Sequence, residues 1–218
     1  MMETKSFSVA LDKNPRIAIN VIPGHFTTSN AHSNNYLEVS ELKSNALVAR
    51  DVARELAIPY ISSTLVDTIV CMEKMEVIGA YLAEELLQDG TAVINSGSNI
   101  HVISPISNTY GNLIFQDNMT EWIAGKNILL LVASVSSGRT LKSAVECLIY
   151  YRGIIAGISS LFAANFENPQ QKVHSLFSPD DIAGYKLYST GECAMCRAGE
   201  PLDAIISSDG YTKLTQSQ

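Results

Sequence analysis

Ser134-Val135-Ser136-Ser137-Gly138-Arg139-Thr140 packs hydroxyls, a glycine and a guanidinium into one short stretch that follows an apolar run. That mixture suits an anion: Ser136, Ser137 and Thr140 can donate to phosphate oxygens, Gly138 lets backbone approach closely, and Arg139 adds positive charge. The same hydroxyls can instead cap a helix, and composition leaves both readings open. Two histidines, His25 and His32, lie in a polar segment with Ser29 and Ser33. Cys193 and Cys196 form a Cys-x-x-Cys pair whose spacing permits half a zinc site or a redox couple. No second Cys-x-x-Cys or His pair accompanies it in sequence, so a reduced structural pair and no metal are expected. No two glycines are separated by a single residue, and neither Gly-Lys-Ser/Thr nor Gly-x-Ser-x-Gly occurs. The dinucleotide fingerprint, the P-loop and the serine-hydrolase elbow are thereby excluded.

Elements must hold these groups in place. Ile128 to Val132 is unalternated and apolar, as a parallel strand covered on both faces must be. Leu141, Ala144, Val145, Leu148 and Ile149 then fall on one helix face that ends before Gly153, and Ile154 to Ile158 reads as the next buried strand. The Ser134–Thr140 loop therefore sits at the carboxyl end of a strand and opens a helix. Unpaired amides and the positive end of the helix dipole favour an anion there. Upstream, the spacing predicts a helix from Glu41 to Leu56 ended by Ile58-Pro59, and a strand over Thr68–Met72. A helix from Glu76 to Gln88 follows, capped by Asp89-Gly90. Short extended segments are expected at Ala92–Ile94, His101–Ile103 and Asn112–Phe115. The βαβ pattern predicts an α/β fold with a doubly wound, mostly parallel sheet. A polar stretch around Asn168-Pro169 precedes a smaller tail, and Thr215–Gln218 is expected to fray.

The 218 residues, 46% hydrophobic and 17% charged, suit one globular domain. A formal net charge of −7 argues against a nucleic-acid partner, since that affinity comes mainly from Lys and Arg on phosphates. No apolar run is long enough to cross a bilayer, and no basic cluster followed by an apolar stretch opens the chain, so a cytoplasmic protein with no membrane partner is expected.

At this point a family resemblance becomes specific. Asn127 through Leu141 resembles the ribose-5-phosphate loop of the type I phosphoribosyltransferases: an apolar strand, two aspartates, two residues, then Thr-Gly-Gly-Thr or similar. Pro23-Gly24-His25-Phe26 through Ala31-His32-Ser33 to Tyr36 resembles the Gly-His-Phe…Ser-Gly…His-Ser…Tyr segment of the orotate enzymes, one residue shorter. Cys193-Ala194-Met195-Cys196…Gly199…Pro201-Leu202 is similar to a Cys-Pro-Leu-Cys…Gly…Pro-Leu tail of some members. The three segments stand in family order. The resemblance implies a type I phosphoribosyltransferase fold across 1–218, with a core of about 41–174 and a small hood from about 1–40 and 175–218. It also implies a homodimer, phosphate held by Ser136, Ser137, Gly138, Arg139 and Thr140, and a base beside Phe26 and His25. The implied activity is transfer of phosphoribosyl from phosphoribosyl pyrophosphate (PRPP) to a pyrimidine-type base, with Mg²⁺ if the chain is active.

The chain departs from that pattern where the chemistry is done. The family's acidic pair falls on Ala133 and Ser134, which carry no charge, although the oxocarbenium-like transition state calls for nearby carboxylates. Where the family's pyrophosphate loop reads Gly-Pro-Glu-Thr-Gly-Gly, this chain reads Cys71-Met72-Glu73-Lys74-Met75-Glu76, so a diphosphate is expected to meet Met75 and Glu76, with Lys74 compensating in part. Between Lys74 and Lys126 there is no Lys or Arg, so a lid there is uncharged but for His101. The alternative function is a non-catalytic nucleotide- or phosphate-binding protein on the same fold.

Overall fold

Ile128 to Val132 forms the centre of the molecule, each side chain at most 2% exposed. The structure is a computed structural model and describes residues 6–29, 31–108, 112–164, 172–207 and 210–214. The Asn168-Pro169 stretch and Thr215–Gln218 lie outside the described residues. In chain order the elements begin with strands β1 (Phe7–Leu11), β2 (Asn14–Thr27) and β3 (Ala31–Glu38), then helices α1 (Ser40–Ser44) and α2 (Ala46–Ala57). Next come β4 (Thr68–Cys71), α3 (Glu76–Leu86), β5 (His101–Ile103), β6 (Ile106–Ser107) and β7 (Leu113–Ile114). The chain continues through β8 (Asn127–Val135), α4 (Arg139–Tyr150), β9 (Ile154–Ala163) and β10 (Val173–Phe177). It closes with β11 (Leu187–Ser189), α5 (Ala194–Arg197), β12 (Ala204–Ser207) and β13 (Gly210–Lys213).

Five parallel strands make the core sheet, in the order β10-β9-β8-β4-β5. The strand order reverses between β4 and β8, because the chain runs outward from β4 to β5, returns to β8 on the other side of β4, and then continues to β9 and β10. In open α/β sheets the carboxyl ends of strands at such a switch point leave a crevice for ligand. Alternate residues of β8 serve opposite faces. Leu129, Leu131 and Ala133 pack with α2 and α3 side chains such as Val52, Leu56, Ile78 and Leu82, whereas Ile128, Leu130 and Val132 pack with Leu141, Ala144, Val145 and Leu148 of α4. Helices thus cover both faces, as the unalternated run requires.

The second sheet is the hood, in the order β11-β3-β2-β12-β13 with β1 added on β2. It is mostly antiparallel; β12 lies parallel to β2. The first half of β2 belongs energetically to the core, since Ile17, Ile19 and Val21 are buried against it. Among the described residues of the rest of the hood, Phe26, Tyr36 and Ala204 form a small buried cluster against which Ile22, Ile206 and Tyr211 pack.

Local details depart from the sequence expectations for identifiable reasons. The helix expected over Glu41–Leu56 is two helices broken at Asn45. This residue takes an extended conformation, and its side-chain oxygen accepts from the Leu47 and Val48 N–H groups at 3.1 and 3.4 Å, capping α2. Helix α3 ends on Leu87 rather than on Asp89-Gly90. Ala92–Ile94 makes turns instead of a strand, held by the buried Asn95, whose side chain accepts from Val66 N–H at 2.9 Å and donates to the Thr64 carbonyl at 2.9 Å. Ile149, expected on the buried face of α4, is 60% exposed because it lies at the margin of that stripe. His101 is not part of a lid; it stacks on Trp122 at a ring-centroid distance of 4.7 Å. Among the described residues no helix is long and apolar enough to cross a membrane.

Two substitutions test this packing. A Cβ at Gly157 would stand 2.5 Å from a ring atom of buried Tyr60, whose hydroxyl lies 2.9 Å from Ser159 Oγ. Gly157→Ala should therefore lower unfolding free energy by about 1–3 kcal/mol in urea titrations. Asn45→Ala, which removes the α2 cap, should cost about 1 kcal/mol by the same measurement.

Candidate functional site

The carboxyl ends of β4 and β8 open into a cleft between the core sheet and the hood. Two contiguous cavities of about 610 and 590 Å³ share Glu73, Lys74, Glu76, Ser134 and Ser136 in their walls. The core contributes the turn after β4 and the turn after β8. Thr28, Ser29, Ile206 and Ser207 close the first cavity from the hood, and Pro105, Ser107 and Leu113 flank it from the β6–β7 hairpin.

After β8 the chain turns at Ser136, Ser137 and Gly138 into α4. Gly138 has φ +72 and is buried at the N-terminus of this helix. The N-cap position is Gly138, which has no side chain to satisfy the first-turn amides. All five residues Ser136–Thr140 line the cleft, and Ser137, Arg139 and Thr140 are exposed. The arrangement offers first-turn amides, the positive end of a twelve-residue helix, hydroxyls and a guanidinium to one volume.

The turn after β4 is under backbone strain. Glu73 and Lys74 have φ values of +54 and +63, two consecutive non-glycine residues in the left-handed region. Each costs on the order of 1–3 kcal/mol, and such strain concentrates at functional sites. The reversal sends Met75 inward: it is fully buried and precedes α3. The expectation that a diphosphate would meet Met75 is therefore corrected, and Met72, Glu73, Lys74 and Glu76 face the cleft instead.

Glu73 performs an unexpected task. Its Oε2 accepts from the Ala133 N–H at 2.8 Å and the Ser134 N–H at 3.3 Å, and Lys43 Nζ donates to its backbone carbonyl at 3.1 Å. A carboxylate from the β4 turn thus lies against the backbone of the two positions that lack carboxylates of their own. Burial pushes its pKa above the ordinary glutamate value, while the two amides and Lys43 oppose the shift. Glu76 accepts from Ser104 Oγ at 2.6 Å. The sequence signalled Glu73 only as one member of a changed loop, because the contact joins residues sixty apart.

Phe26 and His25, expected beside a base, do not line the cleft. Phe26 packs on Tyr36 and Tyr211 within the hood. His25 turns instead toward the cysteine pair: its Nε2 is 3.1 Å from His32 Nδ1, 3.4 Å from Cys193 Sγ and 3.5 Å from Cys196 Sγ. His32 Nδ1 is 3.3 Å from Cys196 Sγ. The reading of Cys193 and Cys196 as a pair without histidines is corrected, since the β2–β3 hairpin carries both imidazoles to it. All four cysteines are free thiols.

No family model matches the chain. In sequence it is 22% identical over 193 residues to the orotate phosphoribosyltransferase of Thermoanaerobacter sp. (strain X514), a match covering 82% of this chain and 86% of that protein. Among solved structures, Leishmania donovani UMP synthase superposes with a TM-score of 0.50 at 17% identity, over 67% of this chain and 30% of that one. A phosphoribosyltransferase from Corynebacterium diphtheriae gives 0.49 at 13% identity, over 74% and 90%. The chain has the α/β fold seen in phosphoribosyltransferase structures, and in sequence it is similar to an orotate phosphoribosyltransferase.

The elevated pKa of Glu73 makes a signed prediction. A carboxyl whose folded pKa exceeds its unfolded one contributes stability that is full below the unfolded value and lost as pH rises through the folded value. Wild type should accordingly lose stability relative to Glu73→Gln as pH rises from below the ordinary glutamate range through the elevated pKa. Urea titrations of both proteins across that range check the sign.

Proposed function

We propose that the cleft binds a ligand bearing ribose 5-phosphate, of the nucleoside monophosphate or PRPP class, and that this chain does not run phosphoribosyl transfer at enzyme rates. The observation that carries the reading is the turn at 136–140, where Gly138 in the left-handed conformation, the first turn of α4 and flanking hydroxyls line the switch-point cleft. Phosphate would sit on those amides, and the ribose would extend toward Ser134 and the hood.

The transfer half of the site is poorly equipped. A departing diphosphate would meet the side chains of Glu73, Lys74 and Glu76 where bare backbone serves the family, and the β6–β7 hairpin beside it brings no cation. Nor do the carboxylates fit a Mg²⁺ held as by an acidic pair. Ala133 and Ser134 have none, Glu73 is committed to two amides, and Glu76 to Ser104. A second reading is favoured by one specific contact: Glu73 delivers a carboxylate to the acidic-pair backbone, and a residual transferase would use it there to stabilise the developing positive charge of the sugar. Mg²⁺ would be required in that case alone. A homodimer belongs to both readings.

Calorimetric titration with nucleoside monophosphates should show one site per chain. Gly138→Asp, which places an anion and a strained backbone in the cradle, should weaken binding about tenfold or more. Pyrophosphate release from PRPP with Mg²⁺ and a panel of bases should stay at background. Absence of monophosphate binding, or binding indifferent to Gly138→Asp, removes the cradle; steady turnover with orotate or a related base that Glu73→Gln abolishes establishes the second reading.

A further inference from the structure

We infer that His25, His32, Cys193 and Cys196 form a structural zinc site that fastens the hood. Nothing in the cleft requires this cluster, and the inference does not rest on the ligand reading above. The ligating atoms of the four residues all lie within 4.8 Å of one another. Zinc bonds of about 2.0–2.1 Å to nitrogen and about 2.3 Å to sulfur, in a tetrahedron, place two nitrogens about 3.3 Å apart and a nitrogen and a sulfur about 3.6 Å apart. The observed separations are 3.1 Å between His25 Nε2 and His32 Nδ1, and 3.3 to 3.5 Å for three of the four nitrogen–sulfur pairs, with His32 and Cys193 within 4.8 Å. Two thiolates and two imidazoles at tetrahedral spacing select zinc over the oxygen-seeking cations.

The surroundings orient the ligands. His25 Nδ1 lies 3.0 Å from the Glu200 carbonyl; donation of the Nδ1 proton to it leaves the Nε2 lone pair directed into the cluster, the outer-shell arrangement that fixes a metal-binding imidazole. The His25 backbone is itself tied down, its N–H donating to Asp203 Oδ2 at 2.7 Å and its carbonyl accepting from the Asp203 N–H at 2.8 Å. Cys193 is 1% and His25 2% exposed, and Cys196 opens the site to solvent on one side. The histidines come from β2 and β3, the cysteines from the start and body of α5, so one ion would join the hairpin to the segment that leads into β12. Among the described residues the hood's own buried apolar cluster is small, Phe26, Tyr36 and Ala204 with Ile22, Ile206 and Tyr211 against it, and such an ion would add to it.

The full-length protein, purified under reducing conditions without chelator, should carry about one zinc per chain by inductively coupled plasma mass spectrometry. Cys196→Ser and His32→Ala should lose most of it, and Cys147→Ser, outside the cluster, should retain it. Since these variants can fail to fold, wild type is also exchanged into Co²⁺. It should show the intense visible bands of a tetrahedral ion and thiolate-to-cobalt charge transfer, which Cys196→Ser should reduce by about half. Chelation should lower the melting temperature, as removal of a ligand bound only by the folded state must. Wild type that holds no zinc and shows no tetrahedral cobalt spectrum after loading under reducing conditions overturns the inference.

Discussion

Burial of β8 on both faces is the constraint on which the rest depends. Its backbone groups are satisfied by β4 on one side and β9 on the other, and its alternating side chains belong to two separate apolar clusters. Removing such a strand would expose both layers of the core at once, so its register is strongly fixed. Everything chemical in the molecule is measured from where that strand stops. Ala133 and Ser134 lie past its last pairing with β4, beside the β4 turn, and the residues just beyond the strand lead into the N-terminal turn of α4. Because β4 and β8 are neighbours at the reversal of strand order, their two turns face one another across a crevice.

The two turns are built differently. After β8, a glycine takes the left-handed conformation at little cost and brings the first turn of α4 to the cleft wall. After β4, a glutamate and a lysine take the same kind of conformation at a cost, and part of what offsets it is visible. The Glu73 side chain crosses to the Ala133 and Ser134 amides, and Lys43 holds the Glu73 carbonyl. One acidic side chain therefore laces the two halves of the crevice together. A group so engaged has less freedom to serve an incoming cation, which links the loop's stability to the limits on its chemistry.

The hood obeys a different logic. Half of β2 is anchored in the main core, while the remainder, with β3, α5 and the terminal strands, relies on few buried apolar groups and on polar contacts such as those of Asp203. The walls of the cleft are consequently unequal: one is a packed sheet edge, the other a thin layer whose geometry depends on whatever joins the hairpin at 25–32 to the segment at 193–203.

What the sequence determined by itself is what local periodicity and residue chemistry record. The unalternated run at Ile128–Val132, the helix face at Leu141–Leu148 and the hydroxyl-rich turn between them were legible because strand, turn and helix are contiguous, so pattern and position coincide. Ala133 and Ser134 were legible as departures for the same reason. The break at Asn45 was not, because a capping side chain inside an amphipathic stretch does not disturb its periodicity. Tertiary structure alone decided the rest. Met75 is turned inward by a backbone conformation that its own residue type does not announce, and Glu73 meets Ala133 only because β4 and β8 are adjacent. His25 and His32 meet Cys193 and Cys196 only because β12 pairs with β2 and closes the hood over a separation of some 170 residues. Such contacts are fixed by how strands pair across the whole chain, and no window of sequence contains them.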